Sequence, residues 1–195
     1  MTELSDAWLL VIDPQVIFAD PSSEWAASGF DDALAVTAAI APRFDGRVLV
    51  TRWLPDPAPK GSWAAYFERW PFAARPPTDP IFDLMPGARD LSRYPTVDCP
   101  TFSKWGLRLQ SLTGPTPTLV LTGCSTDCCV LSTALGAADA GATVFVVADG
   151  CAASSAKNHA AGLALMSQYD PQIRVVDAAE LVRTNSCHAG PGSVA

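Results

Sequence analysis

The sequence predicts an α/β protein of three-layer αβα architecture, with a mostly parallel six-stranded sheet and helices on both of its faces. Short, continuous apolar runs bounded by turn residues read as strands buried on both sides. Between them lie Ala-rich segments with apolar residues at helical spacing, and this alternation implies right-handed crossovers onto a parallel sheet. A chain of 195 residues, 49% hydrophobic and 17% charged, buries a substantial core as one domain, expected over residues 1–195.

Taken in order, "AWLLVID" (7–13) is the first strand, and it ends at Asp13 before Pro14. "DDALAVTAAIAPRF" (31–44) is a helix that returns to the strand "RVLVTR" (47–52). Pro55 to Pro100 breaks the rhythm with most of the 17 prolines. Within it, "SWAAYFERWPF" (62–72) sets Trp63, Phe67 and Trp70 on one helical stripe with Tyr66 beside it, a pattern of core packing or of a pocket wall. The second half resumes with strand "TLVLTG" (118–123), helix "TDCCVLSTALGAADAG" (126–141) and strand "ATVFVVAD" (142–149). Helix "SSAKNHAAGLALMSQ" (154–168) and strand "IRVVDA" (173–178) follow, and "HAGPGSVA" (188–195) reads as a loose tail.

A formal net charge of −7, with no clustered Lys/Arg run, argues against nucleic acid or an anionic membrane as partner and leaves a small-molecule substrate. The stretch "MTELSDAWLLVIDPQ" has neither a basic leader nor an uninterrupted apolar span, so the protein is expected in the cytoplasm. The 6 cysteines include no CxxC pair and read as free thiols. The adjacent Cys128 and Cys129 do not match metal-ligand spacings. "SSAK" (154–157) lacks the companion motifs of a serine–lysine nucleophile and reads as a helix start capped by Ser154 or Ser155. His159, on a stripe with Leu163 and Met166, reads as a structural histidine.

Ligands of open α/β sheets bind beyond the carboxyl ends of strands. Asp13 ends the first strand, Lys104 sits in the loop "TFSKWG", and Cys129 opens the helix after "TLVLTG". A cysteine at a helix N-terminus feels the positive end of the macrodipole, which favours the thiolate. A carboxylate that takes the thiol proton, and a lysine that orients and charges that carboxylate, complete a set fit for acyl transfer without histidine. The chain has only His159 and His188 to offer a Cys–His pair.

These residues resemble those of the isochorismatase-like cysteine hydrolase superfamily. The likeness rests on "LLVIDPQVIF", "TFSKWG" and "TGCSTDCCVLSTALGAADAGATVFVVADGCAAS". The family pattern of a glycine, two variable residues, then Thr-Asp-x-Cys-Val is met by Gly123, Thr126, Asp127, Cys129 and Val130. The resemblance puts the nucleophile on Cys129 and leaves Cys128 at the variable position, with Asp13 and Lys104 as its catalytic partners. It implies an oxyanion site of the Ser125 and Cys129 backbone N–H groups beside a cis peptide between Cys124 and Ser125.

Where the family's nicotinamidases carry metal-binding histidines, "TRWLPDPAPKGSW" has Trp53 and Pro55. No metal and no other cofactor is therefore expected. Phe18, Trp53, Trp63, Tyr66, Trp70 and Trp105 are the candidate pocket wall, Trp105 departing from the small residue that often follows the family lysine. The resemblance implies a metal-independent cysteine amidohydrolase that cleaves a C–N bond of a small amide, assembled as a homo-oligomer, dimer or tetramer. A vinyl-ether hydrolase of the isochorismatase kind, which does not need the thiol, and a non-catalytic binding domain stay open as alternatives.

Overall fold

The computed structural model describes residues 4–186. The expected loose tail at 188–195 and His188 lie outside the described residues. Six strands form one sheet: β1 (Trp8–Ile12), β2 (Val48–Trp53), β3 (Val97–Cys99), β4 (Thr118–Cys124), β5 (Thr143–Ala152) and β6 (Ile173–Val176). Their order is β3-β2-β1-β4-β5-β6, and every neighbouring pair is parallel. The helices are α1 (Val16–Ala19), α2 (Phe30–Ile40), α3 (Ser62–Arg69), α4 (Leu107–Thr113), α5 (Leu131–Asp139), α6 (Ala156–Met166) and α7 (Ala178–Ser186). None of them is long and apolar enough to cross a membrane.

The period of two along β1 explains the layers. Leu10 and Ile12 pack with Leu109 of α4, Ala134 and Ala137 of α5 and Met166 of α6. Leu9 and Val11 go the other way, with Ile40 of α2 and Leu181 of α7. Because both faces are covered, the strands need no polar alternation, and β1 and β4 read as unbroken apolar runs.

A third apolar cluster caps the carboxyl ends of the strands. It joins Ile17, Phe18, Phe30, Trp53, Phe67, Phe82, Cys124 and Ala152, and so draws in the proline-rich middle of the chain. The sheet order reverses between β1 and β4, which places the switch point of the fold under this cap. There Gly123 has φ +107°, and a Cβ on it would lie 2.1 Å from the Ile12 carbonyl oxygen. Only glycine lets the ends of β1 and β4 approach this closely.

The helix expected from Thr126 begins differently. Thr126–Val130 forms one turn of π-helix before α5, and the Ser125 carbonyl accepts from both Cys128 N–H (2.9 Å) and Val130 N–H (3.1 Å). Such wide turns are frequent at functional sites. The Ser155 hydroxyl caps α6 by accepting from Asn158 N–H at 3.2 Å.

Candidate active site

Asp13 follows β1 in the left-handed region, φ +49°, where few non-glycine residues sit. A reciprocal pair with Thr51 of β2 holds it: the Asp13 N–H donates to Thr51 Oγ1 at 3.1 Å, and that hydroxyl donates to Asp13 Oδ1 at 2.6 Å. Two residues on, buried Gln15 locks the same loop. Its amide donates to the carbonyls of Trp53 (3.1 Å) and Phe82 (2.8 Å) and accepts from Trp53 N–H (2.7 Å).

Lys104 reaches Asp13 from the loop before α4, its Nζ 2.8 Å from Asp13 Oδ2, with both side chains wholly excluded from solvent. Nζ also donates to the Thr101 carbonyl at 3.0 Å. Burial, the largest influence on the ammonium, opposes its charge, yet the Asp13 carboxylate, by its charge and its hydrogen bond, holds the lysine above its ordinary value. At this distance the ammonium is both charge partner and hydrogen-bond partner of Oδ2, while Oδ1 accepts from Thr51.

Thr133 of α5 ties the lysine to the cysteine. Its hydroxyl accepts the Lys104 N–H at 2.9 Å and donates to the Cys129 carbonyl at 2.6 Å. One buried threonine thus fixes the backbones of both residues.

The clustered thiols occupy distinct environments. Cys124 is fully buried, its thiol donates to the Asp13 carbonyl at 3.2 Å, and burial pushes it well above its ordinary value. Cys128 and Cys129 act on one another: the neighbouring thiol draws half-buried Cys128 below its ordinary value and pushes Cys129 well above it. Burial and the Asp13 charge push Cys129 up further, against the pull of Lys104. The direction is opposite to the lowering expected at a helix N-terminus, because Cys129 is 4% exposed and lies beside a carboxylate.

Beside these groups lies a cavity of about 280 Å³. Cys128, Cys129 and Ser125 line it, as do Phe18, Trp53, Tyr66 and Trp70 among the aromatic residues named from sequence. The Cys124–Ser125 peptide is cis. Trp63 and Trp105 do not line this cavity. Trp63 stands behind the wall, its ring centroid 5.2 Å from Tyr66 and 4.9 Å from Phe102. Trp105 turns away from its neighbour Lys104, and its Cβ would lie 3.5 Å from a Cβ at Gly136, so it packs on α5. His159 of α6 meets Thr126 Oγ1 through Nδ1 at 2.9 Å and is also absent from the lining.

Five lining residues were not read from sequence as pocket residues: Glu24, Trp25, Phe102, the motif residue Asp127 and the cap candidate Ser154. Trp25 is the hub of the wall, 5.2 Å from Trp53 and 5.7 Å from Tyr66 between ring centroids. It lies in a loop without helical or strand periodicity, so no pattern marks it. Two buried polar atoms of the lining residues have no partner among the described residues: Trp53 Nε1 and Asp127 Oδ1. Burial and the neighbouring thiols push the Tyr66 hydroxyl far up, so it stays neutral. Among the described residues, no group of three or more His, Cys, Asp or Glu side chains is placed to hold a metal ion.

A parallel three-layer α/β sheet with a buried carboxylate–lysine pair and a thiol at its switch point defines the class of this protein, and comparisons with known proteins define the family. A sequence description of the isochorismatase domain matches residues 7–180. The chain belongs to the isochorismatase-like hydrolase family. A cysteine hydrolase from Pseudomonas syringae pv. phaseolicola has a similar fold, with TM-score 0.76, 16% identity and coverage of 94% of each chain. An isochorismatase-like hydrolase from Alkaliphilus metalliredigens gives TM-score 0.73 at 22% identity, over 91% of this chain and 97% of that one. For an isochorismatase family protein from Desulfovibrio vulgaris the values are 0.73, 19%, 92% and 97%. No curated protein sequence matches the chain.

Proposed function

We propose that the protein is a metal-independent cysteine amidohydrolase that cleaves a C–N bond of a small amide. The observation that carries this reading is the solvent-excluded Asp13–Lys104 pair, 2.8 Å apart, beside a cavity lined by Cys129. Removing two opposite charges from water is costly and seldom stabilises a fold, so their retention here points to chemistry.

Asp13 Oδ2 takes the proton of the neutral Cys129 thiol as Sγ attacks the amide carbon. The oxyanion of the tetrahedral intermediate is held by the backbone N–H groups of Ser125 and Cys129. Asp13 then gives the proton to the leaving nitrogen, the C–N bond breaks, and a thioester remains on Cys129. Water, deprotonated by Asp13, attacks the thioester and releases the carboxylic acid and the thiol. Lys104 keeps its charge against the carboxylate throughout and so orients it. The chain has Trp53 and Pro55 where the metal-binding branch has histidines, which supports chemistry without a metal.

The test is a screen of small amides for ammonia release, run with the wild-type protein beside Cys129→Ala. The expected result is at least one amide hydrolysed by the wild type alone. Equal hydrolysis by Cys129→Ala would overturn the thioester route and favour chemistry that uses only Asp13 and Lys104.

A further inference from the structure

The cavity has a charge character that the hydrolytic reaction does not require. Its lining carries two carboxylates, Glu24 and Asp127, and no lysine, arginine or histidine among the described residues. The ammonium closest to the reacting groups, Lys104, is already neutralised by Asp13 beneath the floor. Neither Glu24 nor Asp127 forms an ion pair among the described residues, and Asp127 Oδ1 is buried without a hydrogen-bond partner. A buried acceptor that a bound ligand leaves unmatched weakens binding. An anionic ligand would add repulsion from both carboxylates.

The walls fit the same ligand. The Trp25 ring meets Trp53 at 75° and Trp70 at 70°, with centroids 5.2 and 6.1 Å away, so neighbouring rings form corners of a box. Aromatic faces set in this way attract cations through the ring quadrupole. One face of Trp70 already carries the Arg69 guanidinium, 5.3 Å from the ring centroid. Phe18 stacks parallel to Trp25 at 6.2 Å, and Trp25 and Tyr66 both line the cavity. Trp53 Nε1, a buried donor without a partner, calls for a neutral oxygen on the same molecule.

We propose that the cavity selects a small amide bearing a positively charged ammonium group, quaternary or protonated, held by Asp127, Glu24 and the aromatic wall that includes Trp25 and Tyr66. This rests on the amidohydrolase reading for the amide and on the cavity alone for the charge. The net charge of −7 adds long-range attraction for such a substrate.

The test uses three matched amides: trimethylammonioacetamide, its uncharged isostere 3,3-dimethylbutanamide, and the anionic malonamate. Binding to the full chain carrying Cys129→Ala is read by tryptophan fluorescence, and ammonia release is read with the wild type. The cationic amide is expected to bind at least about tenfold more tightly than its isostere, with malonamate the weakest. Asp127→Asn and Glu24→Gln should each reduce that ratio, and Asp127→Glu should largely restore it. Glu24 is exposed at the mouth, so its variant keeps the test decisive if a change at Asp127 unfolds the protein. Equal binding of the cation and its isostere, or preference for malonamate, overturns the charge proposal. Ammonia release from the neutral amide would then leave the amidohydrolase reading intact. Preferential cation binding with no ammonia from any amide supports the charge proposal and overturns the hydrolytic one.

Discussion

Lys104 Nζ stands 2.8 Å from Asp13 Oδ2, and neither side chain touches solvent. One residue ends the first strand and the other lies in a loop before α4, so only the assembled fold brings them together. The pair depends on both members, because either alone is an uncompensated buried charge.

Lys104→Met should therefore lower turnover by about 100-fold, the scale of a lost acid–base arrangement. It should also destabilise the fold by about 3–5 kcal/mol, since the Asp13 carboxylate loses its counter-charge. Urea unfolding and steady-state kinetics on the folded fraction check both numbers. Near-normal turnover would show that Lys104 has no part in the chemistry.

Thr133→Val keeps the shape of the side chain but removes the bonds to the Lys104 N–H and the Cys129 carbonyl. Two buried polar groups lose their partner, at a cost of about 1–3 kcal/mol each. Thr133 is a positioning residue, so kcat should fall by about tenfold, from a misplacement of Cys129 relative to Asp13, with KM little changed. Thr133→Ser, which retains the hydroxyl, should restore kcat. A loss of stability with kcat intact would make the role purely structural.

At the edge of the sheet, Arg52 and Asp98 are register partners on β2 and β3, joined by hydrogen bonds of 3.0 and 2.8 Å. Burial alone would raise the Asp98 carboxyl, but hydrogen bonds from Arg52 and Thr96 and the charges of Arg52 and Arg108 bring it below its ordinary 3.8. A lowered carboxyl stabilises the fold above that ordinary value and loses the contribution as pH falls through the folded one. Asp98→Asn should accordingly destabilise by about 1 kcal/mol at neutral pH. The gap to wild type in urea should narrow as pH drops below 3.8. A gap that is the same at neutral and acid pH would contradict the assignment.

The sheet was legible in the sequence wherever burial on both faces writes an unbroken apolar run, as in β1 and Leu119–Leu121 of β4. β3 was not among the named runs, because it is three residues, Val97–Cys99, held in part by an ion pair and not by apolar periodicity. β5 runs three residues past the segment read from sequence, through Gly150 to Ala152, where the register against β4 shifts. Asp13, Lys104 and Cys129 stood out because each is a reactive group at a strand end or loop. Gln15, Thr51 and Thr133, which hold them, are ordinary polar residues whose meaning comes only from their partners. Trp105 shows the opposite failure: adjacency to Lys104 along the chain did not become adjacency to the cavity.

Of the three clustered thiols, only Cys129 combines a place in the cavity lining with burial beside Asp13 and Lys104. Cys124 is committed to the Asp13 carbonyl, and half-buried Cys128 is the most accessible of the three, drawn below its ordinary value by its neighbour. Alkylation at neutral pH should consequently reach Cys128 readily, so labelling alone does not identify the nucleophile. The direct measurement compares Cys124→Ser, Cys128→Ser and Cys129→Ser for steady-state amide hydrolysis and for a trapped thioester by mass spectrometry, with folding checked by circular dichroism. Cys129→Ser should be folded, inactive and free of acyl adduct, while Cys128→Ser still turns over and forms it. A folded, inactive Cys128→Ser beside an active Cys129→Ser would contradict the account, because the nucleophile would then be the neighbouring thiol.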